Sequence, residues 1–228
     1  MKKQCNSNNS IKISLVINIL VAIMTLIASA SMFTGFKFMK GSDLTLASTG
    51  MSMFRFFTVQ SNLFVGVISL IFAIKEITLL TGKIDDIPIK MYILKLMSTT
   101  AVGLTFIVVF TYLGPNIKGG IPILLKNANL FFHLIIPVTS ILNFICFERT
   151  NKIKFKAVIF GTIPTFIYGI FYLFNIIIHM ENGKVSTTYD WYWFAQNGVW
   201  TASIVAPAII GTSYLISLLI WRLNRKNK

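Results

Sequence analysis

The sequence predicts an all-α fold, a single polytopic integral membrane domain over 1-228 with six transmembrane helices and both termini cytoplasmic. Composition is the first observation behind this. Hydrophobic side chains make up 55% of the 228 residues and charged ones 12%, with a mean hydropathy of +0.73, too apolar for an ordinary water-soluble domain. The second is pattern: apolar residues form six continuous runs, near 13–34, 56–74, 91–113, 130–147, 156–178 and 199–221. Each is long enough to cross roughly 30 Å of hydrocarbon at about 1.5 Å per residue, and none alternates as barrel strands do. The third is charge. Lys2, Lys3, Lys12, Lys75, Lys83, Lys90, Lys95, Arg149, Lys152, Lys154, Lys156, Arg222, Arg225, Lys226 and Lys228 fall on one side of these spans, and only Lys37, Lys40, Arg55, Lys118, Lys126 and Lys184 on the other. By the positive-inside rule the first side is cytoplasmic and the loops 35–55, 114–129 and 179–198 are external, in the cell (plasma) membrane. The excess of positive charge in a chain of net charge +14 then faces anionic inner-leaflet lipid, at about 1 kcal/mol per basic residue near the surface, and calls for no nucleic-acid partner.

The first run has a competing reading, because Lys2 and Lys3 precede an apolar stretch ending in Ala28-Ser29-Ala30, which resembles a signal-peptidase site. The stretch is longer than a typical signal core and nothing of secreted character follows, so it is assigned as the first helix. The second run opens on Phe54-Arg55-Phe56-Phe57-Thr58-Val59-Gln60-Ser61-Asn62, polar chemistry where lipid is expected. The third carries Ser98, Thr99, Thr100, Gly103 and Thr105, a small-residue packing surface. The fourth begins Asn127-Ala-Asn129-Leu-Phe-Phe-His133-Leu-Ile-Ile-Pro137. In the fifth, Pro164, Tyr168, Tyr172 and Asn175 recur every three or four residues and form one polar stripe. Tyr189-Asp190-Trp191-Tyr192-Trp193 closes the last external loop; an interfacial aromatic belt is the leading reading and a ligand lid the other. Pro137, Pro164 and Pro207 bend helices or free carbonyls inside spans.

Several classes drop out. Cys5 and Cys146 offer neither metal spacing nor a plausible disulfide. No Gly-rich phosphate loop and no metal constellation is present, no cofactor is implied, and a haem between His133 and His179 is set aside. With the second run ending at 74, no acidic residue lies inside a span, which weakens proton-coupled transport. The Lys, Ile and Asn bias suggests an AT-rich bacterial genome.

A strongly polar side chain in a bilayer is a functional candidate by default. Thr58 and Asn62 are four apart and share a helix face, as are Asn129 and His133. Counted from Phe54 and Asn129, Thr58 and His133 each lie four residues in, about 6 Å below the outer surface of the hydrocarbon. A threonine hydroxyl becomes nucleophilic when a base takes its proton, and neutral imidazole is the usual base. Asn62, Gln60 and Asn129 are candidate oxyanion donors, Arg55 a candidate for a carboxylate or phosphate head group, and Tyr168, Tyr172 and Asn175 candidates to line the same cavity. Each residue also has a structural reading. Thr58 can bond its own helix backbone, His133 a neighbouring helix, Arg55 can snorkel to the headgroups, and Asn127 and Asn129 can cap a helix.

The order of these sites, with Arg55-Phe-Phe-Thr58 at the mouth of span two and Asn129-Leu-Phe-Phe-His133-Leu-Ile-Ile-Pro137 in span four, resembles the androgen-induced and androgen-dependent membrane proteins and their bacterial relatives. Animal members are intramembrane threonine hydrolases of fatty acid esters of hydroxy fatty acids. The resemblance implies Thr58 as nucleophile and His133 as its base or acid. The chain departs from the pattern after the threonine, reading Val-Gln-Ser-Asn62 where the animal proteins have a shorter spacing to asparagine. The leading expectation is a hydrolase that cleaves an ester in a fatty-acyl, lipid-like substrate in an outer-leaflet cavity. The alternative is a lipid- or small-solute-binding transporter or sensor using that cavity without covalent chemistry, and the third a purely structural or partner-binding protein.

Overall fold

A computed structural model describes residues 2–39, 48–117, 119–195 and 198–225, with backbone alone for 2–7 and 199. Lys40, Lys118, Lys226 and Lys228 lie outside the described residues, as do the side chains of Lys2 and Lys3. Helix α1 (Lys2–Thr34) is followed by a 3₁₀ turn (Gly50–Arg55) and α2 (Phe57–Leu80). Helix α3 (Ile89–Val108) continues through a π-helical turn (Val109–Leu113) into the short α4 (Gly114–Asn116), and α5 (Gly120–Leu124) crosses the loop beyond it. The fourth span joins α6 (Ala128–Leu130), a second π-helical turn (Phe131–Ile135) and α7 (Ile136–Cys146). A 3₁₀ stretch (Phe155–Thr162) leads into α8 (Ile163–Ile178), an antiparallel pair β1 (Met180–Glu181) and β2 (Lys184–Val185) follows, and α9 (Val199–Asn224) ends the bundle.

Six helical stretches are long and apolar enough to cross a membrane: Asn8–Thr34, Phe57–Leu80, Ile89–Asn116, Ala128–Cys146, Phe155–Ile178 and Trp200–Asn224. The chain is a multi-pass membrane protein. Lipid cannot satisfy backbone N–H and C=O groups, so each span bonds internally as helix. The third span stands at the centre, 61% buried against 17% for the sixth. It sits there because Ser98, Thr99, Thr100 and Gly103 let neighbours approach: a Cβ on Gly103 would meet Ile216 at 3.0 Å. Helix α1 lies along α2 at an equally close point, where a Cβ on Gly66 would lie 2.7 Å from the Thr25 side chain.

One correction concerns charge. Helix α2 runs to Leu80, beyond the apolar run that stops near 74, so Glu76 belongs to the span and is 2% exposed. Lys95, assigned above to the cytoplasmic surface, is fully buried in α3. Its ammonium donates to Asn18 Oδ1 and, at 2.9 Å, to Ser69 Oγ, and lies 3.4 Å from Glu148 Oε1. Asn18 Nδ2 bonds both Glu76 Oε2 (3.0 Å) and Glu148 Oε1 (2.8 Å). This network ties α1, α2, α3 and the end of the fourth span together at the end of the bundle opposite Thr58.

Gly66→Val drives a branched side chain into Thr25 and is expected to lower stability by about 1–3 kcal/mol, measured as an earlier thermal unfolding transition in detergent.

Candidate active site

The polar stretch that opens the second span is broken. Gly50–Arg55 form the 3₁₀ turn, Phe56 is extended (ψ 131°), and α2 starts at Phe57. Thr58 therefore lies in the first turn of α2, not four residues deep, and its neighbourhood includes the N–H groups that a helix N-terminus leaves without intrahelical acceptors. The positive end of the helix dipole favours negative charge developing there.

On the fourth span, Pro137 lacks the N–H that would bond the carbonyl four residues back, at His133. The helix takes up π geometry over Phe131–Ile135, a local widening frequent at functional sites. Pro115 stands in the same relation to the π turn Val109–Leu113. His133 Nδ1 lies 2.7 Å from the carbonyl oxygen of Leu124, in the last turn of α5. A carbonyl only accepts, so Nδ1 carries the hydrogen and Nε2 keeps its lone pair.

Thr58, His133 and Asn129 line one cavity of about 40 Å³, closed by Phe56, Leu124 and Tyr192. It has room for water, which needs about 10–15 Å³. The two helices are stapled by Asn62, whose Nδ2 donates to the Thr58 carbonyl (2.7 Å) and to the Phe132 carbonyl (3.0 Å). Both amide hydrogens are thus committed, and Asn62 positions the pair rather than facing an oxyanion. Ser61 bonds the same Thr58 carbonyl at 3.1 Å and Thr105 Oγ1 at 3.0 Å.

Thr58 also lines a larger apolar cavity of about 140 Å³ between the third, fifth and sixth spans, walled by Leu104, Val108, Leu173, Ala206 and Ile209. On the other side Asn129 and Met32 reach a second opening of about 280 Å³, flanked by Lys37 and Lys126. Thr58 and Asn129 thus stand between an apolar chamber and a basic mouth.

The remaining predicted residues divide. Arg55 and Gln60 line a separate groove of about 570 Å³ beside α8, without Thr58 or His133. Arg55 donates to Ser48 Oγ (3.1 Å) and stacks on Trp191, its guanidinium 5.6 Å from the ring centre; Gln60 donates to the Phe54 carbonyl (2.7 Å). Tyr168 and Tyr172 stand in the wall between groove and apolar chamber. Their hydroxyls brace the loop before α9: Tyr168 accepts from Trp191 Nε1 (3.0 Å) while donating to the Arg55 carbonyl (2.8 Å), and Tyr172 donates to Asp190 Oδ1 (2.5 Å). Asn175 donates to the Tyr189 carbonyl (2.8 Å), and His179 stacks on Tyr189.

That loop is where sequence reasoning fell short. Tyr189 is exposed, but Asp190, Trp191 and Tyr192 fold inward. Asp190 accepts from the Phe194 and Ala195 N–H groups at 3.0 and 2.9 Å and so holds the turn that carries Tyr192 to the site. Tyr192 OH accepts from the Phe57 N–H at 2.9 Å and meets the Thr58 hydroxyl. Burial pushes the Tyr192 phenol above its ordinary value, so it stays protonated at neutral pH beside Thr58. The available signal was the carboxylate amid aromatics, since a buried Asp must gather donors.

No family model, curated protein or solved structure matches this chain.

Asn62→Ala removes the staple and leaves the Phe132 carbonyl unpaired. A loss of about 1–3 kcal/mol is expected, read as a lower thermal midpoint in detergent.

Proposed function

We propose that the chain is an intramembrane hydrolase that cleaves an ester bond in a lipid-like substrate, with Thr58 as nucleophile and His133 as general base and acid. The observation that carries this reading is one cavity shared by Thr58 and a histidine whose Nδ1 is tied to a carbonyl, leaving Nε2 to accept a proton. Positive-inside charge favours both termini in the cytoplasm and Thr58 at the outer face of the plasma membrane.

In this reading the acyl chain occupies the apolar chamber and the ester carbonyl lies at Thr58. Thr58 Oγ attacks the carbonyl carbon while His133 Nε2 takes the hydroxyl proton. Asn129 and the Tyr192 hydroxyl are placed to donate to the oxyanion, taking the role that Asn62 is too occupied to fill. On collapse the ester C–O bond breaks and the imidazolium gives its proton to the leaving alkoxide. Water from the basic mouth then attacks the acyl-threonine. His133 accepts the water's proton and returns it to Thr58 Oγ, and the carboxylic acid leaves past Lys37 and Lys126. The resemblance to the androgen-induced and androgen-dependent family points to the same pair.

A second reading, lipid or solute binding without covalent chemistry, is favoured by the groove at Arg55 and Gln60, roomier than the Thr58 cavity and separate from it.

The test is hydrolysis of a chromogenic long-chain acyl ester by purified protein in detergent. Thr58→Ala and His133→Ala are expected to fold and to lose at least about 100-fold in rate, with Thr58→Ser retaining part of it. Parental rates in both folded alanine variants, with no acyl adduct on Thr58 by mass spectrometry, would overturn the Thr58–His133 assignment, and a folded parent that binds the ester without hydrolysing it would favour the binding reading. Tyr192→Phe, which removes the hydroxyl donor and also the acceptor of the Phe57 N–H, is expected to lower kcat by about 10-fold or more with the KM little changed.

A further inference from the structure

The buried network at the far end of the bundle carries an unbalanced charge. Lys95 has three N–H donors and three acceptors around it, Asn18 Oδ1, Ser69 Oγ and Glu148 Oε1, the arrangement of a charged ammonium. Glu148 Oε1 receives Ser14 at 3.2 Å, Asn18 at 2.8 Å and Asn143 at 2.7 Å besides the ammonium, so Glu148 is the carboxylate that this cation neutralises. Glu76 is then a second acid with no cation of its own. Its Oε2 accepts one bond from Asn18, at 3.0 Å. The other groups facing it are Ser14 and Asn18 from α1, Lys95 and Tyr92 from α3, and Glu148. An ionised Glu76 would leave a net negative charge closed off from water, at a cost of several kcal/mol.

A second, independent observation concerns donors. Among the described residues Glu148 Oε2 and Asn143 Oδ1 are buried acceptors without a hydrogen-bond partner, and their residues are 4% and 0% exposed. The cluster therefore holds one acid more than its cation neutralises and two acceptors without donors. A proton on Glu76 removes the excess charge and adds one donor to the cluster. A metal ion is a poorer fit, because the ammonium already occupies the space between the acids.

We infer that Glu76 is a proton-binding site, resident in the bundle as a neutral carboxylic acid beside the Lys95–Glu148 ion pair. When the proton leaves, it passes to water at the adjacent end of the bundle and Glu76 becomes a carboxylate. The cluster then carries one uncompensated negative charge across the contact of α1, α2 and α3. Helix α2 carries Glu76 near one end and Thr58 at the other, so the site is independent of the hydrolase reading but lies on the same rigid element.

Infrared spectroscopy of the full chain in detergent tests this. The parent at neutral pH is expected to show a carboxylic-acid C=O band that shifts down in D₂O, fades at alkaline pH and is missing from Glu76→Gln. Glutamine is the nearest shape to a protonated glutamate, so Glu76→Gln is expected to unfold within about 3 °C of the parent. Glu148→Gln, which removes the carboxylate hydrogen-bonded to the ammonium and to Ser14, Asn18 and Asn143, should unfold far below it. The inference is overturned by a parent without such a band, by a band that survives in Glu76→Gln, or by a Glu76→Gln chain as unstable as Glu148→Gln.

Discussion

Hydrocarbon offers no hydrogen-bond partner, and the bundle is arranged around that lack. A polar side chain inside it has to be met by another part of the chain. The result is two polar clusters separated by the length of α2. At one end Lys95, Glu76, Glu148 and Asn18 close on one another; at the other, Asn62, His133, Thr58 and Tyr192 close on backbone carbonyls and N–H groups. The apolar middle is joined by small residues such as Gly66, Gly103 and Gly161, whose missing side chains let helices approach and gain dispersion contacts.

The candidate site is assembled from places where regular helix stops. Thr58 begins a helix, Leu124 lies at the end of one, and His133 sits in a π turn set before a proline. Each interruption releases backbone groups, and the site uses them: the Leu124 carbonyl fixes the His133 ring, and the Phe57 N–H donates to the Tyr192 oxygen. The same discontinuities that position Thr58 and His133 thus spare the bundle unpaired backbone in a dry interior.

The loop before α9 shows how an aromatic cluster can be more than an interfacial belt. Asp190 gathers two backbone N–H groups and the Tyr172 hydroxyl, and this turn presents Trp191 to Arg55 and Tyr192 to Thr58. One carboxylate organises the wall between the Arg55 groove and the apolar chamber. The stripe of Tyr168, Tyr172 and Asn175, evident from its spacing, serves this wall; its hydroxyls and amide are bonded to the loop rather than turned to open space.

Hydropathy over windows of about twenty residues determined the six spans, their all-α character and the small-residue face of the third, because lipid imposes helix on any apolar run of that length. Local spacing likewise marked Thr58, His133 and Asn129, since polar side chains stand out against apolar neighbours. Hydropathy misjudged Glu76, because a window average ends a span at its first charges, and charge counting misjudged Lys95, because it is blind to a partner 53 residues away, as Glu148 is from Lys95. Only the tertiary structure decided that Asn62 staples two helices rather than facing an oxyanion, that Arg55 and Gln60 occupy a different groove from Thr58, and that Tyr192 reaches the site. Those outcomes depend on which donor meets which acceptor across the bundle, and pairing between distant segments leaves no periodic trace in the chain.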